Sequence, residues 1–257
     1  MARMNKSLFV LCAAAFVLLA GLGSRAAFAG SWGVAPLSID LDLKTRSAVF
    51  SVWNNGDDEV LLQVHPRRWE QNSEGKDVYT DTREIIVFPL QLKLAPKEQR
   101  IVRVGYRNPA LGSELAYRIV FEESAPPAAS AKGAQSVGVS IGVAFALPVY
   151  LSPSKPEERD TLEDLALTKG KASVKVRNSG NVRVRISKVR FAGLAEDGTQ
   201  TLEKIVDGWY LLAAAARVYQ ADLSRAECEK TRTLLVEMQT EHSQSSSRIP
   251  VRPEMCF

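Results

Sequence analysis

The chain has 257 residues, of which 46% are hydrophobic and 24% charged, and its formal net charge is +4. This is the composition of a globular protein, which excludes a disordered, collagen-like or coiled-coil chain. His65 and His242 lie far apart in the sequence, and the three cysteines show neither CxxC nor CxxH spacing. A zinc site or a Cys/His nucleophile therefore has little support, and we expect neither a metal nor a cofactor.

The first 29 residues have the pattern of a secretory signal. Arg3 and Lys6 form a basic start, Leu8 to Leu22 is an apolar run without charge, and Ala27-Phe28-Ala29 gives a small-x-small pattern before Gly30. We expect cleavage after residue 29. The alternative, a retained membrane anchor, would need about 20 apolar residues, which is more than this run provides.

Cleavage changes the charge balance of the mature protein. It removes Arg3, Lys6 and Arg25 and no acidic residue, so the 33 basic residues fall to 30 against 29 acidic ones. A nearly neutral chain gives no support for nucleic-acid binding, and no small-molecule substrate is expected either. Partners should be recognised through shape and apolar surface.

Two cysteines, Cys228 and Cys256, remain after cleavage in an exported and therefore oxidising setting. The strand-like segments between them are separated by a polar turn near His242 and Ser243. A hairpin folded at that turn would place the two cysteines opposite each other at its open end. We predict a disulfide between them; two buried free thiols are the alternative.

Short apolar segments with a period of two dominate the first half of the mature chain. Leu37, Ile39, Leu41 and Leu43 alternate with polar residues, which predicts a strand with one buried face. Turn-forming residues separate further predicted strands at Ser47–Trp53, Glu59–His65, Ile85–Leu94, Gln99–Tyr106 and Glu114–Glu123. Several short strands at this spacing indicate a β-sandwich.

A Pro-rich, charged segment at Ser152 to Asp160 predicts a linker between two domains. Beyond it, Asn178 and Gly180 repeat the spacing of Asn54 and Gly56, and each pair lies between two strand-like segments. Two similar sandwiches in tandem are the simplest account, with chance similarity of hairpin turns as the alternative. The only strongly helix-forming segment, residues 211–216, is too short for a stable helix and is interpreted as a loop or strand edge.

The segment from Val137 to Leu151 carries the strongest functional signal. Every odd position is a large apolar residue, whereas the even positions up to Pro148 are Gly, Ser, Ala or Pro. A membrane span is the least supported interpretation, because fifteen residues with a period of two and Pro148 fit neither the length nor the helix that a bilayer requires. Two interpretations remain, and both can hold at once: a core strand of the first sandwich, or an edge strand that lends side chains to another protein. Its length, about twice that of a usual strand, favours the edge strand.

These features together resemble the PapD-like periplasmic chaperones of the chaperone–usher pilus pathway. The resemblance rests on the signal peptide, the turn at Asn54, the segments Leu94–Val104 and Ala116–Val120, and the alternating strand that ends at Pro153. It implies an all-β fold of two tandem immunoglobulin-like β-sandwich domains in a boomerang arrangement. The expected bounds are 30–153 for the first domain and 154–257 for the second.

The resemblance also implies a non-enzymatic function. Such chaperones stabilise pilus or fimbrial subunits, here called clients, by donor-strand complementation in the periplasm and deliver them to an outer-membrane usher. The donor residues that correspond here are Val137, Val139, Ile141, Val143 and Phe145. Leu147, Val149 and Leu151 are instead expected in the core of the first domain. The alternative function is a two-domain β-sandwich adhesin or pilus subunit.

One departure from the family pattern concerns the cations that hold the C-terminal carboxylate of the client. The corresponding positions here lie near Ser38 and Pro148, and neither is cationic. This resembles the divergent, archaic branch of the family. Arg118 is the candidate anchor, because it is predicted on the strand next to the alternating one and a guanidinium can bind a carboxylate with two hydrogen bonds. The alternative is a solvated or surface-paired arginine.

Overall fold

The structure is a computed structural model that describes residues 32–110, 112–124 and 142–257. The expected signal segment and the donor residues Val137, Val139 and Ile141 lie outside the described residues. Within the described ranges, no helix is both long enough and apolar enough to cross a membrane.

The first part of the described chain folds into a β-sandwich. Its strands are β1 (Trp32–Ala35), β2 (Ile39–Leu41), β3 (Ser47–Asn54), β4 (Val60–Gln71), β5 (Asp77–Asp81), β6 (Ile85–Phe88), β7 (Gln91–Leu94), β8 (Gln99–Tyr106), β9 (Leu115–Glu123) and β10 (Ala144–Leu151). One sheet has the order β1-β3-β8-β6, and the other has the order β2-β10-β9-β4-β5, with β7 also pairing β4. Fully buried Phe50 and Phe121 meet edge to face across the two sheets, with ring centroids 5.4 Å apart. The alternating segments therefore bury their apolar faces in one core, as predicted.

The second part repeats this arrangement. Its strands are β11 (Asp160–Thr168), β12 (Lys171–Asn178), β13 (Val184–Leu194), β14 (Gln200–Asp207), β15 (Tyr210–Leu211), β16 (Ala216–Asp222), β17 (Thr233–Thr240) and β18 (Gln244–Pro250). Its short helices are α1 (Arg225–Lys230) and a 3₁₀ turn (Pro253–Met255). The sheets have the orders β11-β12-β16 and β14-β13-β17-β18, with β15 pairing β13. They enclose a second core, which includes Val174, Phe191 and Val236.

Two buried asparagines occupy equivalent places in the two sandwiches. Asn54 and Asn178 are 1% and 0% exposed, and the side-chain oxygen of each accepts a hydrogen bond from the backbone N–H two residues later. Each side-chain amide donates to three backbone carbonyls, those of Asp58, Leu94 and Ala95 for Asn54 and those of Val182, Leu211 and Leu212 for Asn178. The shared hydrogen bonds support a structural repeat rather than a chance similarity of turns.

One predicted strand, Ile85–Leu94, is two strands in the structure. Proline has no N–H to donate to a sheet, and Pro89 interrupts the segment after Phe88. The chain changes sheets at this point, since β6 pairs β8 and β7 pairs β4.

The predicted alternation from Leu37 to Leu43 is also shorter than expected. Only Ile39 and Leu41 are buried, whereas Leu37 and Leu43 are exposed. The side chain of Asp42 accepts hydrogen bonds from two backbone N–H groups of the following turn, which ends the strand before Leu43.

The predicted disulfide between Cys228 and Cys256 is present in the structure, with Cα atoms 5.7 Å apart. The predicted hairpin forms from β17 and β18. The cysteines do not lie on its strands, however: Cys228 is on α1 and Cys256 follows the 3₁₀ turn. The bond therefore joins the two segments that flank the hairpin.

We expect reduction of this disulfide to destabilise the second sandwich selectively. For the 28-residue separation, the chain-entropy model gives about 3–4 kcal/mol of stabilisation. Thermal unfolding with and without reductant should show a lower midpoint for the second sandwich and an unchanged one for the first. A Cys228→Ser/Cys256→Ser variant should show the same shift without reductant, and an unchanged unfolding curve would contradict the prediction.

Candidate functional site

Strand β10 has one edge that is only partly covered. On one side it pairs antiparallel with β9 along its whole length, Ala144–Leu151. On the other side it pairs in parallel with β2, but only from Val149 to Leu151. Among the described residues, no strand covers this second edge from Ala144 to Pro148.

Two backbone hydrogen bonds show which residues of β10 face this edge. The N–H of Ser152 donates to the carbonyl of Leu41 on β2, and the carbonyl of Val143 accepts from Glu123 on β9. Backbone groups of successive residues in a strand point to alternate sides, so the even-numbered residues of β10 face the β2 side.

Ala144 and Ala146 thus each have an N–H and a carbonyl at the uncovered edge, and the carbonyl of Ala146 also accepts from Arg118. Pro148 has no N–H to present, and the parallel pairing of Val149 with Ile39 directs the Pro148 carbonyl to β2. Proline occurs within sheets where its missing N–H would face an unpaired edge, and Pro148 fits that rule. The edge offers a ladder of hydrogen-bonding groups that a further strand could use.

The odd-numbered side chains of β10 point into the first sandwich. Leu147, Val149 and Leu151 are buried in its core, as predicted. Val143 and Phe145 are half-buried and pack against the same core, and the Phe145 ring meets Trp32 edge to face at 4.9 Å. These last two donor candidates therefore already have contacts within the chain.

Arg118 lies on β9 directly opposite Pro148. It is only 8% exposed, so it is neither a solvated nor a surface-paired arginine. One terminal nitrogen, Nη1, donates to the carbonyl of Ala146 at 3.2 Å, which places the guanidinium at the uncovered edge of β10. Within the described part of the chain, no carboxylate lies within 4.0 Å of it, and its buried Nε has no hydrogen-bond acceptor.

Aromatic side chains surround this guanidinium. Arg118 lies over the ring of Trp69, 4.0 Å from the centroid, and Trp69 also packs against Tyr79 and Tyr150. In the sheet, Ala116 lies between Trp69 and Tyr150, and its small side chain leaves room for the two rings to approach each other. Stacking on tryptophan favours a cation and holds Arg118 in place without neutralising it.

The second sandwich closes over this aromatic cluster. Leu212 packs against Trp69 and Tyr150, and the side chain of Gln71 donates to the carbonyl of Tyr210 at 2.8 Å and accepts from the N–H of Leu212 at 3.0 Å. The contacts join residues about 140 positions apart, so no local sequence pattern could reveal them.

A second arginine, Arg183, joins the two sandwiches through buried charge. It binds the carboxylates of Glu114 at 2.5 Å and Asp40 at 2.7 Å, and it lies over the Tyr150 ring, 3.5 Å from the centroid. Burial raises the pKa of Glu114 even though Arg183 opposes the shift. No local sequence pattern reveals this cluster, because its members come from four separate segments.

Asp77 makes a further contact between the sandwiches that depends on pH. Its carboxylate accepts hydrogen bonds from Gln71, Trp209 and Tyr79. Burial raises the pKa of Asp77, but these hydrogen bonds outweigh burial and hold the pKa below its usual range. The folded-state pKa is thus lower than the unfolded one, so the stability that Asp77 contributes is present above the unfolded pKa and is lost as pH falls through the folded pKa.

We expect Asp77→Asn to flatten the acid limb of the stability curve. The melting temperature of the wild type should fall more steeply than that of the variant as pH drops from about 5 to about 2. An Asp58→Asn variant, at an exposed position, is the control and should retain the wild-type slope. Parallel curves for wild type and Asp77→Asn would contradict this role.

Comparison with known proteins places this arrangement in a family. Residues 33–157 match the family model described as the pili and flagellar-assembly chaperone, PapD N-terminal domain. None of the curated protein sequences is significantly similar to the chain.

Solved structures share the fold across nearly their whole length. A chain of the chaperone–tip adhesion subunit pre-assembly complex from archaic Csu pili of Acinetobacter baumannii is 16% identical with a TM-score of 0.56, and the match covers 86% of this chain and 98% of that one. The Class 5 fimbriae chaperone CfaA is 14% identical with a TM-score of 0.55, covering 85% and 99%. A chain of the Salmonella enterica SafA pilin–SafB chaperone complex is 14% identical with a TM-score of 0.52, covering 88% and 98%. Residues 33–157 therefore belong to the PapD N-terminal domain family of pili and flagellar-assembly chaperones.

Proposed function

We propose that this protein is a periplasmic chaperone that binds a pilus-type or fimbrial subunit by lending it a β-strand, and that it delivers the subunit to an outer-membrane usher. The observation that carries the proposal is the uncovered edge of β10 from Ala144 to Pro148. The family is one of non-enzymatic binding chaperones. Two of the similar structures are, by their descriptions, complexes of a chaperone with a tip subunit or a pilin.

The geometry of the edge favours one direction for an added strand. Because β2 covers the edge from Val149 onward, an added strand must lie along the part that ends at Pro148. A strand parallel to β10 would bring its carboxyl end to Pro148, whereas an antiparallel strand would bring its amino end there. Arg118 lies opposite Pro148, so a parallel strand would end in a carboxylate beside an unneutralised guanidinium.

We therefore propose Arg118 as the anchor for the C-terminal carboxylate of the client. The family cation expected near Pro148 is missing, but directly opposite residues in an antiparallel pair have Cβ atoms about 4.5–5.5 Å apart. The charge of a cation on β9 can therefore lie close to the position that a cation on β10 would occupy. Burial supports this role for Arg118, as does the lack of a carboxylate partner among the residues that the structure describes.

The apolar residues that precede β10 are proposed to fill the groove of the client. Val137, Val139 and Ile141 would contribute about 1.5–3 kcal/mol each on full burial, before ordering costs. Val143 and Phe145 would add less, because they are already half-buried against the first core.

The remaining parts of the chain fit export and a two-domain chaperone. We propose that residues 1–29 are a signal that directs the chain to the periplasm, and that the domains span 30–153 and 154–257. The two separate hydrophobic cores, from Trp32 to Leu151 and from Leu167 to Cys256, support these domain bounds.

Purification of the tagged chain from the periplasm of its host tests the function. We expect one small co-purifying subunit, identified by mass spectrometry, whose own β-sandwich lacks its last strand. The Ile141→Asp variant should remain soluble and lose this partner. A wild-type chain that captures no such subunit, or an Ile141→Asp chain that captures it equally well, would overturn the proposal.

A further inference from the structure

Tyr150 is a second buried polar group of the β9–β10 face for which the described residues provide no hydrogen-bond partner. It lies two residues beyond Pro148 and is 1% exposed. Leaving a buried hydroxyl unpaired destabilises a protein, so an unpaired phenol at a site with another unpaired donor calls for an explanation.

Two arginines act on Tyr150. Arg183 lies over its ring, and the charges of both Arg183 and Arg118 act on its hydroxyl. Burial nevertheless raises the pKa of Tyr150, so the hydroxyl stays protonated and can donate a hydrogen bond. Within the described residues, the Nε of Arg118, the hydroxyl of Tyr150 and the indole nitrogen of Trp69 are buried donors without acceptors, and Trp69 packs against the other two side chains.

We propose that Tyr150 and Arg118 together bind one carboxylate, the hydroxyl donating to one oxygen and the guanidinium to the other. This inference rests on the proposed function, because the carboxylate is taken to be the C-terminus of the client. It adds Tyr150 as a second binding residue and predicts that the anchor discriminates a free carboxylate from an amide.

The two donors favour a planar anion with two oxygen atoms. A planar carboxylate has one oxygen for each of the two donors, and a guanidinium prefers this geometry.

The second sandwich takes part in this site by holding the Tyr150 ring. Arg183, which precedes β13, lies on one face of the ring and is fixed by Glu114 and Asp40 of the first sandwich. Arg183 is therefore a positioning residue, since its own charge is already paired. Tyr150 therefore belongs both to the contact between the two sandwiches and to the carboxylate site.

A titration with sodium acetate, compared with neutral acetamide, tests the inference on the full mature chain. The Nε–H signal of Arg118 is followed by NMR in protein labelled with ¹⁵N-arginine and is assigned with Arg118→Lys. Acetate should shift this signal saturably, and acetamide should not. Tyr150→Phe, which keeps the ring, should weaken acetate binding about tenfold, which corresponds to the loss of roughly 1.4 kcal/mol.

Tyr219→Phe is the matched control, because Tyr219 also has a buried hydroxyl without a partner but belongs to the second core. It should retain the wild-type affinity for acetate. Equal affinities of wild type and Tyr150→Phe, or no response of Arg118 to acetate, would overturn the inference. Client capture by the same variants separates this inference from the proposed function. If the protein captures a client but Tyr150→Phe does not change acetate binding, only the inference is wrong. If Tyr150→Phe weakens acetate binding but the protein captures no client, only the proposed function is wrong.

Discussion

Replacing Leu147 with aspartate is expected to unfold the first sandwich of the free chaperone. Leu147 is 7% exposed and faces the core from β10, directly opposite fully buried Ile119. A carboxylate there would be buried without a partner, and removal of the leucine alone would leave a cavity. Together these effects should cost about 4 kcal/mol or more, a large part of the stability of a typical domain.

Matched variants separate this structural role from client binding. Ala144→Asp, on the exposed face of the same strand, should leave the melting temperature of the free chain nearly unchanged. Ile141→Asp should also leave a folded protein but abolish client protection. Thermal unfolding of the three variants, followed by circular dichroism, ranks them by melting temperature, and Leu147→Asp should have the lowest. If Ile141→Asp unfolds the chain as severely as Leu147→Asp, residue 141 belongs to the core and its assignment as a donor is wrong.

Arg118→Ala is expected to abolish client capture while the chain stays folded. Removing one partner of a desolvated charge pair costs about 2–5 kcal/mol, which corresponds to a loss of affinity of roughly 30-fold to several thousandfold. The free chain should tolerate the change, because the guanidinium has no carboxylate partner in the described structure. The measurement is the affinity of purified variants for the captured subunit.

The neighbouring Arg67 provides the control for Arg118. It lies directly opposite Arg118 on β4, is about half-exposed and is paired with Asp81. Arg67→Ala removes the same charge from the same sheet and should leave capture within about threefold of the wild type, since surface pairs contribute little. Equal losses for both variants would show that general positive charge, and not the Arg118 anchor, holds the client.

Local patterns were sufficient to predict most of the fold. A period of two identified the buried faces of β3, β8 and β9, and the Asn-x-Gly spacing identified the repeat because Asn54 and Asn178 fix equivalent turns. The same patterns cannot show where a strand changes partners, so they predict one strand over Ile85–Leu94 although Pro89 divides it. They also placed the end of β4 at His65, although pairing with β5 extends it to Gln71.

One missed element did have a sequence signal. Helix α1 begins with a capping box, in which the Ser224 side chain accepts from the N–H of Glu227 and the Glu227 carboxylate accepts from the N–H of Ser224. The hydrogen bonds from Lys204 and Ser224 lower the pKa of Glu227 to about 2. The Ser-x-x-Glu spacing is visible in the sequence, whereas the partner Lys204 is not.

The contacts around the carboxylate site lay beyond sequence reasoning for a different reason. Arg118 could be proposed from its strand, but its burial against Trp69 and its position opposite Pro148 depend on strand register. Tyr150 has the sequence context of an ordinary strand residue, and only tertiary packing shows that its hydroxyl is unpaired.

Amide hydrogen exchange at the edge of β10 tests the central claim most directly. The N–H groups of Ala144 and Ala146 face the uncovered edge, whereas that of Leu147 faces β9. NMR exchange rates should therefore be fast at Ala144 and Ala146 in the free chain and strongly reduced in the client complex, while Leu147 exchanges slowly in both. Unchanged fast exchange at Ala144 and Ala146 in the complex would show that the client binds elsewhere and would contradict strand addition at β10.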